Sequence, residues 1–230
     1  MKEILTQSAF FGAALSLVCY EIGLFVRKKT KSALANPLLV AVLLVIAVLL
    51  VFSIDFEIYA QGASHISFLL TPATVSLAVP LYRQLGLLKK YPRAIIGGIA
   101  SGVLAAMVSI FVLSLFFGLN HEQYVTLLPK SITTAIGMGI SEKMDGIVTI
   151  TVVAICITGI FGSMIADGVC RLFKIEEPVA VGLAIGTSAH AMGTTKAMEL
   201  GEIQGAMSSL SIVAAGIMTV AGVSLFANFI

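Results

Sequence analysis

Gly186, Thr187, Ser188, His190, Gly193, Thr194 and Thr195 crowd into ten positions of a stretch that should be an apolar membrane helix. Backbone groups freed at bilayer depth are tolerated only when buried in protein or lining a watery cavity. If the helix unwinds near Gly186–Gly193, the next half-helix begins around Thr194, and its free N–H groups form an anion site. The hydroxyls add donors and can cap the new N-terminus. A small carboxylate is the simplest ligand for that arrangement. The alternative is an intact helix in which Ser and Thr bond back to their own carbonyls and Gly serves packing. His190 titrates near physiological pH and could bind substrate or carry a coupled proton, or be a satisfied structural histidine in a helix interface.

A second stretch, 70–84 (LTPATVSLAVPLYRQ), has similar chemistry. Pro72 and Pro80 lie eight residues apart, with Thr71, Thr74 and Ser76 beside them. Proline removes a backbone donor and clashes with the preceding turn, so both positions should kink or break a helix. Carbonyls freed there could meet a cation or the substrate; a simple kinked helix is the other reading. A third segment, 131–141 (SITTAIGMGIS), is led by Ser131, Thr133 and Thr134, which would line an outer vestibule or cap a half-helix. Substrate contact is therefore expected at Thr71, Pro72, Thr74, Ser76, Thr133, Thr134, Gly186, Thr187, Ser188, His190, Gly193, Thr194 and Thr195. His190 and Glu199 are the proton-coupling candidates. Elsewhere, Glu21 and Asp167 are close enough in sequence to pair with Arg27 and Arg171, and Lys196 with Glu199.

The elements that must hold these residues follow from composition. Of 230 residues, 58% are hydrophobic and 11% charged, with a mean hydropathy of +1.05. Soluble domains carry about 25% charged residues, so this is an integral membrane protein, expected to form one domain over residues 1–230. Long uncharged runs cover 4–20, 38–54, 58–82, 94–120, 146–166, 178–195 and 203–230. A span needs about 20 apolar residues, so seven spans fit. The first run lacks a basic n-region and a convincing cleavage site and is expected to be a membrane helix. Segment 131–141 is too short to span and fits a re-entrant half-helix. With that count, the second to fourth and fifth to seventh spans form two triplets of opposite orientation, each with an interrupted middle member. Such an inverted 3+3 repeat with two discontinuous helices is the sequence pointer to a transporter site. The expected fold is thus all-α and polytopic.

Lys and Arg cluster at 27–31, 83–93 and 171–174, all on one side in this count, with the poorly basic loops 55–65 and 120–145 opposite. The positive-inside rule then places the N-terminus outside and the C-terminus in the cytoplasm of a cell membrane. Cys19, Cys156 and Cys170 have no metal-ligand spacing and imply no disulfide. The pairs Gly98/Gly102, Gly159/Ser163, Gly182/Gly186 and Gly201/Gly205 allow close helix approach. No nucleophile elbow with a Ser–His–Asp order, HExxH, Walker loop or paired carboxylates at glycosidase-like spacing is present. No catalytic residue, metal or cofactor is expected, nor a nucleic-acid partner, and the chain is not expected to be an enzyme.

The stretches 72–84 (PATVSLAVPLYRQ), 131–138 (SITTAIGM) and 186–210 (GTSAHAMGTTKAMELGEIQGAMSSL) resemble the LrgB/CidB family, the partners of small holin-like membrane proteins. The likeness covers essentially the whole chain, although Ala135 stands where proline is frequent in that family. The resemblance implies two kinds of function. Bacterial members are described as antiholin-like or murein-hydrolase regulators. A related chloroplast protein transports glycolate and glycerate, and bacterial relatives are linked to pyruvate handling. The leading expectation is a secondary transporter of small monocarboxylates, working as a homo-oligomer such as a dimer in the lipid bilayer. The alternative is a lysis regulator acting with a small holin-like partner.

Overall fold

The computed structural model describes residues 8–30, 35–69, 72, 75, 76, 79, 82 and 85–230. Among these residues all regular structure is helical. The chain divides into two compact units, Met1–Ser76 and Leu77–Ile230.

The first unit holds α1 (Phe11–Thr30), α2 (Pro37–Val51) and α3 (Phe56–Phe68). Helix α2 starts cleanly because Asn36 accepts from the Leu38 and Leu39 amides, and Pro37 takes the first turn, where no donor is needed. Glycines let α1 touch both neighbours: Gly12 meets the backbone of Tyr59 and Gly62 on α3, and Gly23 meets Pro37 at the start of α2. The Ser16 hydroxyl lies 2.8 Å from the Tyr59 hydroxyl, and Cys19, Ala41 and Val45 form the small core. Segment 55–65, expected as an outer loop, is helical in α3. Asp55 at its N-cap position and Glu57 in its first turn suit a helix start, two residues ahead of the uncharged run 58–82 that holds the rest of α3.

The second unit contains α4 (Leu85–Lys90), α5 (Pro92–Phe117), α6 (His121–Leu127), α7 (Thr134–Lys143), α8 (Val148–Leu172), α9 (Pro178–Leu200) and α10 (Glu202–Phe226), closed by a 3-10 turn, Ala227–Phe229. Helices α5, α8 and α10 with its 3-10 extension are long and apolar enough to cross a membrane. Helix α5 stops at Gly118, whose φ of 63° needs the left-handed region, and its last carbonyls are taken by the Gly118 and Leu119 amides. Asn120 and Gln123 then form a capping box that starts α6, a helix absent from the sequence-based expectation for 120–145. Helix α7 has ten residues, about 15 Å, half the hydrocarbon core at most.

The main core of this unit joins α5, α6, α9 and α10, with Ile95, Ile99, Met107, Tyr124 and Met207 almost fully enclosed. The Tyr124 hydroxyl donates to the Phe226 carbonyl at 2.9 Å. A polar knot ties α6, α7 and α8: the Thr151 hydroxyl lies 2.8 Å from both the Thr126 carbonyl and Ser141 Oγ. Thr126 Oγ1 in turn accepts from the Ile147 amide at 2.8 Å. Cys19, Cys156 and Cys170 are free thiols.

Candidate functional site

Helix α9 begins with Pro178 and runs to Leu200, but His190 stands at φ 42°, ψ −134°, off the helical ladder, so two helical segments meet there. Side-chain-bearing residues rarely adopt that region, and holding one there costs on the order of 1–3 kcal/mol. The interruption expected over Gly186–Gly193 is thus confined to one residue, and that residue is the histidine. Its ring is buried, at 3% exposure, and Nε2 lies 3.1 Å from the Ile155 carbonyl on α8. A carbonyl only accepts, so Nε2 carries the proton in this contact. Gly159 on α8 makes room for the ring, because a Cβ there would sit 2.6 Å from His190 Cε1.

The flanking glycines face different neighbours. A Cβ at Gly182 would come within 2.5 Å of the Gln204 carbonyl, and one at Gly186 within 2.5 Å of the Ser208 carbonyl, so both lie where α9 presses on α10. Gly193 faces Ile185 and Ala189 of its own helix across the kink.

The hydroxyls bond locally. Thr187 donates to the Leu183 carbonyl at 2.8 Å and Ser188 to that of Ala184 at 2.7 Å. Thr194 donates to the His190 carbonyl at 3.0 Å, and the exposed Thr195 makes a long 3.4 Å contact with that of Ala191. Thr194 Oγ1 also lies 2.7 Å from Ser208 Oγ on α10, with both side chains fully buried. Each hydroxyl keeps lone pairs to offer a ligand, while its proton is directed along the helix.

Within the second unit a groove of about 1360 Å³ runs between α5, α8 and α9. Small residues wall it, among them Gly98, Gly102, Ala105, Gly162 and Ala184, and its hydroxyls include Ser101, Thr187 and Ser188. Thr187 and Ser188 belong to the expected site. The described lining does not include His190, Gly193, Thr194 or Thr195, which pack toward α8, α9 itself and α10.

Two residues ahead of α7 join the groove: Lys130 and Ser131. The Lys130 ammonium donates to Ser131 Oγ at 3.1 Å, and burial pushes its pKa below the ordinary lysine value. Ser131 and Thr187 also both line a second, small void of about 10 Å³. Thr133 occupies the N-cap position of α7 without a side-chain capping bond, and Thr134 begins the helix, both half-buried. Lys130 escaped the sequence reading, which treated it as a flank of an uncharged segment. The available signal was its isolation: it is the one Lys or Arg between Arg93 and Lys143.

Thr71, Thr74 and Pro80 lie outside the described residues, while Pro72 and Ser76 are helical and exposed. Near the end of α9, Lys196 lies 3.6 Å from Asp167 on α8 and 3.4 Å from Glu199, and Asp167 lies 4.0 Å from Arg171. Glu199, a proton-coupling candidate, therefore sits in an exposed ion-pair cluster. Among the described residues no cluster of His, Cys, Asp and Glu could hold a metal ion.

The model of the LrgB-like family matches residues 16–229. The antiholin-like protein LrgB of Bacillus cereus (strain B4264) is 36% identical over 226 residues, covering 98% of this chain and 98% of that protein. The antiholin-like protein LrgB of Bacillus anthracis (strain A0248) is similar to the same extent, 36% over 226 residues with 98% coverage of each. No solved structure matches the chain.

Proposed function

The chain belongs to the LrgB-like family, and on that premise we propose that it is a secondary transporter of small monocarboxylates such as glycolate, glycerate or pyruvate. The observation that carries this reading is the groove of the second unit, walled by small residues and bearing a lysine, beside a helix broken at His190. Irregular backbone beside a cavity at membrane depth is the pattern of carrier sites. In this reading seven spans cross the cell membrane, the N-terminus is outside, and α7 is re-entrant, for which its ten-residue length is the support. The two interrupted segments, 70–84 and α9, occupy matching places in an inverted repeat, and the protein works as a homodimer without cofactor or covalent chemistry.

Uptake of radiolabelled pyruvate and glycolate into proteoliposomes of the purified protein, with and without a pH gradient, tests it. Saturable uptake stimulated by an inward proton gradient is expected. The second reading is an antiholin-like regulator of murein hydrolases acting with a small holin-like partner, favoured by the antiholin-like names of the relatives. Absence of uptake from well-folded protein, with that partner added, selects the regulator.

A further inference from the structure

We propose that Lys130, with Ser131 beside it, is the group that recognises the negative charge of the ligand in this groove. The inference rests on the transporter reading and names the charge that site would use.

Lys130 lies in the short connection between α6 and α7, and that connection is firmly held. Leu128, Pro129, Ser131 and Ile132 are buried, and the Lys130 and Ile132 amides bond the Leu127 and Pro129 carbonyls at 3.1 and 3.3 Å. The side chain is therefore delivered to the groove by fixed backbone rather than by a loose loop, which lowers the entropy lost when it engages a ligand. Lys130 is the one cation among the described lining residues. The ion pairs among the described residues are those around Asp167, Lys196 and Glu199, and none includes Lys130. The one carboxylate in the described lining, Glu177, is exposed at the N-cap position of α9. A half-buried ammonium without a counter-charge is poorly compensated, and a bound anion supplies what is missing.

The donors left free in the groove point the same way. The Ser101 hydroxyl donates to the Gly98 carbonyl at 2.8 Å and Ser109 to that of Ala106 at 2.7 Å, just as Thr187 and Ser188 spend their protons on α9. Ser131 accepts from Lys130, so its own proton is left to donate. An anion entering the groove thus meets an ammonium and a hydroxyl side by side, with Thr158 and Tyr91 as further hydroxyls in a wall that is otherwise mostly apolar. That is a fit for a single carboxylate on a short apolar body. A dianionic phosphate would call for more than one cation.

The test compares wild type with Lys130→Arg, Lys130→Gln and Lys130→Met in proteoliposome uptake of pyruvate. Thermal stabilisation by pyruvate and by its neutral amide provides a second readout. Loss of a charge-assisted hydrogen bond should raise KM for pyruvate roughly 10- to 100-fold. Lys130→Arg should keep most of the affinity. Both charge-free variants should bind pyruvate and the amide about equally weakly, whereas wild type prefers pyruvate. Lys130→Met keeps the apolar stem and serves if glutamine loosens the segment. Wild-type uptake that is unchanged in a folded charge-free variant overturns the role of Lys130 and leaves the transporter reading standing. A wild type that neither takes up pyruvate nor is stabilised by it overturns both.

Discussion

Gly159 on α8 and His190 at the break in α9 fit as a pair. The ring occupies the space a side chain at 159 would need, and its Nε2 reaches the Ile155 carbonyl one turn earlier on the same helix. The break in α9 is therefore braced from a neighbouring helix, which makes it a fixed feature of the packed unit.

Gly159→Ala should destabilise the protein by about 1–3 kcal/mol, the usual cost of overpacking. The new Cβ would lie 2.6 Å from His190 Cε1 and 2.8 Å from Met192 Sδ. Methionine can yield, but the imidazole is tied to Ile155. Thermal unfolding in detergent measures this, and an unchanged midpoint would mean that the ring moves freely.

Substitution at position 190 separates backbone from side chain. Alanine and glycine both abolish the bond to Ile155, yet only glycine is at ease at φ 42°. His190→Gly should be more stable than His190→Ala by roughly 1 kcal/mol. The reverse order would show that α9 straightens once the imidazole is gone.

Thr194 and Thr195 are adjacent in sequence and should behave differently. Thr194→Val leaves the buried Ser208 hydroxyl without its 2.7 Å partner and should cost about 1–3 kcal/mol. Adding Ser208→Ala should recover much of that loss. Thr195 is exposed with only a 3.4 Å contact, so Thr195→Ala should change stability by under about 0.5 kcal/mol. Any loss of uptake in that variant then reports on transport alone.

Asp167→Asn should have a small effect. Its partners Lys196 and Arg171 have side chains 23% and 85% exposed, and Asp167 itself is 38% exposed. Pairs in such surroundings contribute about 0–1 kcal/mol and are screened by salt. Melting of wild type and variant at low and high salt should converge as salt rises; a gap that persists would place the cluster in a drier setting.

Much of this protein could be read from local signals. Hydropathy and charge spacing anticipate α5, α8, α9 and α10, with the ends of α8 and α9 placed short, and composition marks α5, α8 and α10 as apolar enough to cross a membrane. The density of Gly, Ser and Thr announced an irregularity in 186–195. The pair Gly182/Gly186 announced a close helix contact, which α10 supplies. Helix α6 has no counterpart among the expected spans because it is short and polar, so its signal is a capping box rather than a long apolar run. Most of α3, by contrast, falls inside the expected run 58–82.

The sequence by itself pointed to a membrane protein of the LrgB type, built of helices, with an interruption in its sixth apolar stretch. Which residue carries that interruption, and which hydroxyls reach a cavity, was decided by tertiary contacts. His190 is set by Ile155, 35 residues away, and Thr194 by Ser208 on the next helix. Lys130 gains its meaning only when the segment before α7 is brought beside α5, α8 and α9. Composition reports what a segment can bury. The partner it is buried against depends on packing between distant helices, which no local pattern encodes.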